Sequence, residues 1–166
     1  MNPDNKEKSN IFLEVAGELN KSFEIIPILY GSLGLNRVIE ENGTVNDIDI
    51  LVPNEFVDGK WDELIETMNR LDFKLKNEHE HEFIREGKII AFATNLDLVE
   101  MAGIRPEDLK ISKESGIEFK ELTPVQYLNV YQFMLRDSYR QEKRGTADKD
   151  KITLIKKYLA AKKLGK

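Results

Sequence analysis

The chain has no cysteine among its 166 residues, so neither a disulfide framework nor a thiolate zinc site can form. No stretch approaches the roughly 20 consecutive apolar residues that a membrane span needs. A formal net charge of −5 argues against a dedicated DNA-binding protein. The first ten residues are polar and mixed in charge, with no apolar run of a signal sequence behind them. Together these absences predict a cytoplasmic protein.

The composition that remains is that of a folded domain. Hydrophobic residues make up 40% of the chain, which is enough for a core. The length predicts one compact unit, with an α+β core over residues 1–122 and a C-terminal helical part over residues 123–166.

Apolar periodicity and turn residues predict the order of the elements. A threonine at the N-cap and a proline at the first helical position favour a helix that starts at Thr123-Pro124. Gly145 is the predicted break before a last helix, which Thr146 or Asp148 would cap. The other predicted helices are 11–23, 61–71 and a helical turn from Leu33, and the predicted strands are 25–30, 45–52, 73–76, 81–85, 88–93 and 117–122.

Charge is unevenly distributed along the chain. Residues 136–166 contain eleven lysines and arginines but only four acids, whereas the whole chain is acidic. This basic region is either a solvated helix face or a lobe that meets phosphate.

The most informative residues are Gly31-Ser32 and the pair Asp47 and Asp49. Gly31-Ser32 follows an apolar run that predicts a buried strand, and the two aspartates lie on the next predicted strand. Side chains alternate along a strand, so Asp47 and Asp49 share one face while Ile48 and Ile50 point to the other. Neighbouring carboxylates repel each other unless a cation neutralises them. This pattern favours a bound divalent metal.

In these residues the chain resembles the nucleotidyltransferase superfamily, whose fold is that of polymerase-beta-like enzymes. It is most similar to the small members that modify lincosamides and aminoglycosides. In that family a Gly-Ser or Gly-Gly turn follows the first strand and an Asp-x-Asp motif lies on the second. The resemblance implies a mixed sheet flanked by helices, with further helices at the C-terminal end.

The resemblance also implies roles for individual residues. Asp47 and Asp49 would hold Mg²⁺, Gly31 would let a nucleoside triphosphate approach the backbone, and Ser32 would donate a hydrogen bond to its terminal phosphate. Positive charge near the departing phosphates would come from lysines or an arginine of the basic region. The candidates for that charge are Lys149, Lys151 and Arg144.

A third carboxylate, which family members usually carry on a later strand, is missing where it is expected. The strand 88–93 contains no acid. Asp97 is the nearest substitute and Glu100 a poorer one, although Asp97 would serve equally well as the N-cap of a helix beginning near Leu98.

Three functions remain open from the sequence. The first is the magnesium-dependent transfer of a nucleoside monophosphate from a triphosphate to a hydroxyl of a small molecule. The second is a catalytically inactive member that binds a nucleotide or a protein. The third is an enzyme of the toxin-antitoxin type that acts on tRNA or protein. A homodimer is compatible with each, since many small members of the family pair.

The run His79-Glu80-His81-Glu82 allows two interpretations. It is a solvated hairpin strand, or it lines the acceptor pocket with its carboxylates. The two histidines alternate and could face one side of a strand, but no further zinc ligand is near in sequence.

Overall fold

The computed structural model describes residues 1–136 and 138–164, except for the side chains of residues 138–146. Six α-helices and seven strands occupy this part of the chain. The helices are α1 (Pro3–Phe23), α2 (Gly31–Val38), α3 (Trp61–Arg70), α4 (Leu96–Ala102), α5 (Pro124–Arg136) and α6 (Ser138–Leu164). The strands are β1 (Ile28–Tyr30), β2 (Ile48–Val52), β3 (Lys74–Asn77), β4 (Glu82–Arg85), β5 (Lys88–Thr94), β6 (Lys110–Glu114) and β7 (Ile117–Glu121). Among the described residues, no helix is long and apolar enough to cross a membrane.

The strands form one mixed sheet in the order β3-β4-β5-β2-β1-β7-β6. Strand β2 lies near its middle, antiparallel to β1 and parallel to β5. Tyr30, Asp49 and Ala91 are register partners across these three strands. Because opposite residues of neighbouring strands project to the same face, these three positions share one face of the sheet. The predicted α+β class, with a mixed sheet and C-terminal helices, is confirmed.

Each face of the sheet is covered by its own helices. Ile48 and Ile50 of β2 point into a core that includes residues of α1 and α3, such as Val15 and Leu64. Leu51 points the other way, into a core with α4, α5 and α6. Asp49 is two residues from Leu51 and so lies on the α5 and α6 side.

The start of α5 follows the sequence prediction closely. The Thr123 hydroxyl accepts a hydrogen bond from the amide of Gln126 at 3.2 Å, and the Gln126 side chain accepts one from the amide of Thr123 at 2.8 Å. These reciprocal bonds form a capping box, in which each side chain satisfies a helix-end donor.

Other boundaries differ from the prediction. Helix α6 continues through Gly145, Thr146 and Asp148, so the predicted break and caps are wrong. A glycine inside a helix costs only about 1 kcal/mol, and the burial of Ile152 and Ile155 against the core outweighs it. Strand β6 was not predicted.

Candidate functional site

A cleft of about 450 Å³ opens on the face of the sheet that carries Asp49. Its walls come from the β1–α2 junction, strands β2 and β5, and helices α4, α5 and α6. The predicted site residues that line it are Gly31, Ser32, Asp49, Asp97 and Lys151, together with Glu80.

Gly31 and Asp49 are in close contact at the floor of the cleft. Gly31 has φ +68°, a left-handed conformation that favours glycine. A Cβ built on Gly31 would overlap the Oδ2 atom of Asp49 and lie 3.1 Å from its Cβ. The absence of a side chain at Gly31 therefore allows the Asp49 carboxylate to lie where it does.

Ser32 and Lys151 form a pair of hydrogen-bond donors at the cleft. The Lys151 ammonium donates a hydrogen bond to the Ser32 hydroxyl at 3.1 Å and lies 5.0 Å from the centre of the Tyr131 ring. Ser32 is in the first turn of α2, where the helix dipole is positive and amide groups point outwards. This side of the cleft is suited to an anion such as a phosphate.

The position beside Asp49 on strand β5 is occupied by a small apolar residue. Ala91 is the register partner of Asp49, as expected for a strand without an acid. The other carboxylates at the cleft come from outside the strands. Asp97 lies in the first turn of α4, and Glu80 lies in the turn between β3 and β4.

Asp97 does not cap a helix. Helix α4 begins at Leu96 with Asn95 at its N-cap position, so the capping alternative for Asp97 is wrong. Burial, followed by the charge of Glu100, raises the pKa of the Asp97 carboxyl above its ordinary value. An acid with a raised pKa holds a proton more readily than an exposed one does.

This shift has a consequence for stability. The unfolded chain gives up the Asp97 proton at a lower pH than the folded chain, so Asp97 reduces the free energy of unfolding once pH rises above both pKa values. We expect Asp97→Asn to raise that free energy near neutral pH and to have little effect in strongly acidic solution. Urea unfolding of both proteins across pH measures the difference. A variant less stable than the parent at neutral pH would contradict the assignment.

Glu80 lines the cleft from a turn whose shape is fixed by hydrogen bonds and ring packing. The Asn77 side chain accepts a hydrogen bond from the Glu80 amide at 3.1 Å. The next residue, His81, is left-handed (φ 54°), its ring lies 3.2 Å from the Val57 carbonyl oxygen, and it packs edge-on against Trp61. Of the two interpretations of this run, the geometry favours a lining role for Glu80 and gives His81 a structural one.

Two further predicted residues, Asp47 and Lys149, are not among the described residues that line the cleft. Asp47 precedes β2, because the strand starts at Ile48 and not at residue 45 as predicted, and the Asp47 side chain is half-buried. Lys149 is exposed and is not among the lining residues. The side chain of Arg144 lies outside those that the structure describes.

The oxygen donors at the cleft fit a hard cation only partly. In the described part of the chain, no group of three acids or histidines is arranged to hold a metal ion. Mg²⁺ commonly takes one or two protein carboxylates and completes its shell with water and substrate phosphates. Asp49, with Asp47 two residues before it, matches that smaller donor set.

Comparison with known proteins places the chain in a family. No family model matches it. Over 150 residues it is 35% identical to the uncharacterized protein YnaI of Bacillus subtilis (strain 168), and the alignment covers 90% of this chain and 96% of YnaI. The chain therefore belongs to the same family as YnaI.

Proposed function

We propose that this protein is a small magnesium-dependent nucleotidyltransferase, which moves a nucleoside monophosphate from a triphosphate to a hydroxyl of a small molecule. The observation that carries the proposal is the convergence of Gly31, Ser32, Asp49 and Lys151 on one cleft. The Asp49 carboxylate, which would hold a cation, and the Ser32 and Lys151 donors, which would bind phosphate, line the same cleft beside Gly31.

Asp49 and Asp47 are the residues that would hold Mg²⁺. The bound ion would supply charge neutralisation on the triphosphate. The chain itself contributes hydrogen bonds and fixed charge: the Ser32 hydroxyl and the first-turn amides of α2 donate to phosphate oxygens. The Lys151 ammonium compensates negative charge beside them. Such chemistry depends mainly on positioning and electrostatics.

Asp97 is the candidate for the proton acceptor. It lines the same cleft, and its raised pKa suits a group that takes a proton from an attacking hydroxyl. Glu80, Ala91 and Ala93 line the same cleft. The acceptor would bind in this cleft over the small alanine side chains, with Glu80 as a second carboxylate.

A catalytically inactive relative is the second candidate function. The specific observation in its favour is Ala91 directly opposite Asp49, where the resemblance leads us to expect a carboxylate. Such a protein would keep the phosphate-binding side of the cleft and bind a nucleotide without turning it over. Action on tRNA or protein has weaker support, which comes from the basic residues of α6.

The test is thermal melting with a panel of nucleoside triphosphates, with and without Mg²⁺. A ligand at about 100 times its dissociation constant adds about 2.7 kcal/mol to the free energy of unfolding, which gives a readily measured shift. We expect a magnesium-dependent shift in the parent that is lost in Asp49→Asn.

The matched control is Asp62→Asn, which changes an exposed acid of α3 on the other side of the sheet. It should keep the full shift. No shift with any triphosphate in the parent would refute the proposal. A shift without any release of pyrophosphate from the bound triphosphate, whatever acceptor is supplied, would favour the inactive relative instead.

A further inference from the structure

The segment Asn42–Val45, which leads into Asp47 and Asp49, is irregular but tightly held. Loops of this kind are ordinarily solvated and variable in position. Here the segment receives hydrogen bonds from two helices, and most of them end on its main-chain carbonyl groups. The position of the chain just before the two aspartates is therefore fixed from outside the strand.

Helix α1 supplies three of the residues that hold the segment. The Lys8 ammonium donates to the Val45 carbonyl oxygen, and the Asn5 side chain donates to that of Gly43 at 3.1 Å. Asn2, at the N-cap of α1, donates hydrogen bonds from its amide and its side chain to the side-chain and main-chain oxygens of Asn42.

Helix α2 supplies the fourth residue and links the segment to the other side of the cleft. The Asn36 side chain donates to the Gly43 carbonyl oxygen at 2.8 Å, so that oxygen accepts two hydrogen bonds. Ser32 is one turn earlier in the same helix. Gly43 thus links helix α2, which carries Ser32, to the segment before β2, the strand that carries Asp49.

Three of the four residues that hold the segment are buried. Asn5 is 1% exposed, Asn36 6% and Lys8 7%. Burial of a lysine ammonium is unfavourable unless it is paired, and Lys8 is paired with Asp4 at 2.8 Å as well as with the Val45 carbonyl. An apolar residue would fill this position at lower cost, so the lysine indicates that the carbonyl contact matters.

A further ion pair extends the same helical turn to strand β5. Lys88, the first residue of β5, lies 3.7 Å from Asp4 and 3.7 Å from Glu7. Strand β5 is the parallel neighbour of β2 and carries Ala91 opposite Asp49. The first two turns of α1 therefore contact both the segment before β2 and the first residue of β5, the two strands at the floor of the cleft.

We propose that Lys8 is a positioning residue: with Asn5 and Asn36 it fixes the main chain of Gly43–Val45 and thereby sets the affinity of Asp47 and Asp49 for a divalent cation. The proposal rests on the proposed function, since it assumes that these carboxylates bind a cation. Lys8 acts through the segment and touches no ligand. Groups that hydrogen-bond directly to metal ligands typically change metal affinity by about 10- to 100-fold when they are replaced. Lys8 acts through the main chain two residues before Asp47, so we expect an effect at the lower end of that range.

The experiment is a titration with Mn²⁺, followed through the paramagnetic resonance of the free ion, well below the melting temperature. Lys8→Met keeps the length of the side chain and removes its donor. Lys6→Met, on an exposed position of α1, is the matched control. We expect the Mn²⁺ dissociation constant to rise about 10-fold or more in Lys8→Met and to stay unchanged in Lys6→Met.

Two further measurements separate positioning from a general loss of structure. Binding of metal-free ATP depends on the Ser32 and Lys151 side of the cleft, so it should be the same in all three proteins. Amide exchange should accelerate at residues 44–49 of Lys8→Met and not in α3. If Lys8→Met does not fold, Asn5→Ala is used in its place. This variant removes only a donor to Gly43, and we expect the same results from it.

The outcomes distinguish the two proposals. Equal Mn²⁺ affinity in the parent and the folded variants overturns the role of Lys8 and leaves the proposed function standing. A parent that binds no Mn²⁺, alone or with ATP, overturns the proposed function and the positioning role together.

Discussion

Gly31→Ala should abolish binding at the cleft and also destabilise the fold. An alanine at φ +68° costs about 1–2 kcal/mol, because its Cβ crowds the backbone in the left-handed conformation. Its methyl group would also overlap the carboxylate oxygen of Asp49, which must rotate away. The displaced carboxylate would no longer hold the position in which we propose that it binds a cation. We therefore expect the magnesium-dependent nucleotide shift to disappear.

The control for this prediction is Gly116→Ala. Gly116 has φ +81° in the β6–β7 turn, and nothing lies within 4 Å of the position where its Cβ would be. It carries a similar backbone cost without the overlap, so it should lower the free energy of unfolding by a comparable amount and keep the nucleotide shift. Urea unfolding and ligand-dependent melting of both variants measure the two effects. A Gly31→Ala protein that retains the shift would contradict the role of Gly31.

The regular parts of the fold are predictable because local signals agree with the final packing. The Thr123-Pro124 helix start is an example, since the cap, the proline and Gln126 all specify the same first turn. The Glu86-Gly87 hairpin is another: both residues have positive φ, as a two-residue hairpin turn requires.

Strand β6 was missed although the same signal was present. Ser115 and Gly116 also have positive φ and connect two antiparallel strands of five residues. The sequence before the turn is Lys-Ile-Ser-Lys-Glu, whose polar residues gave no apolar alternation to support a strand. An edge strand can be this polar because lysines on an edge discourage pairing with other chains.

The candidate site was predictable only where the residues are close in sequence. Gly31, Ser32 and Asp49 come together because β1 and β2 are neighbours in the sheet. The sequence does not distinguish the roles of Lys149 and Lys151, because no local feature of the long basic helix shows which of its sides faces the cleft. Two residues correspond to about 200° around a helix, so only Lys151 faces Ser32.

The carboxylates of Asp97 and Glu80 line the cleft through long-range packing. Asp97 is in the first turn of α4 and Glu80 in the turn between β3 and β4. The sequence does not predict that these two segments line one cleft, because they are joined only through the packing of the sheet and its helices. The absence of an acid at Ala91 therefore does not leave the cleft without carboxylates besides Asp49.

Gly34→Ala should lower the free energy of unfolding by overpacking the contact between α2, β1 and α5. Gly34 lies in α2, and its Cβ would overlap the hydroxyl oxygen of Tyr127 and lie 3.1 Å from the Leu29 carbonyl oxygen. Tyr127 is fully buried, and the contacting oxygen of Leu29 belongs to the main chain of a central strand, so neither group can move freely. Overpacking of this kind costs about 1–3 kcal/mol. At the upper end of that range the cost exceeds the gain of about 1 kcal/mol in helix propensity, so the variant should be less stable than the parent.

A double-mutant cycle with Tyr127→Phe tests the cause. The Tyr127 hydroxyl donates a long hydrogen bond of 3.4 Å to the Leu29 carbonyl, so its removal alone should cost about 1 kcal/mol. In the Gly34→Ala background the same removal relieves the overlap and should be less costly or stabilising. Gly59→Ala, with nothing within 4 Å of its Cβ, serves as the unstrained control. Additive free energies of unfolding in the cycle would contradict the overlap, because two independent sites have no coupling.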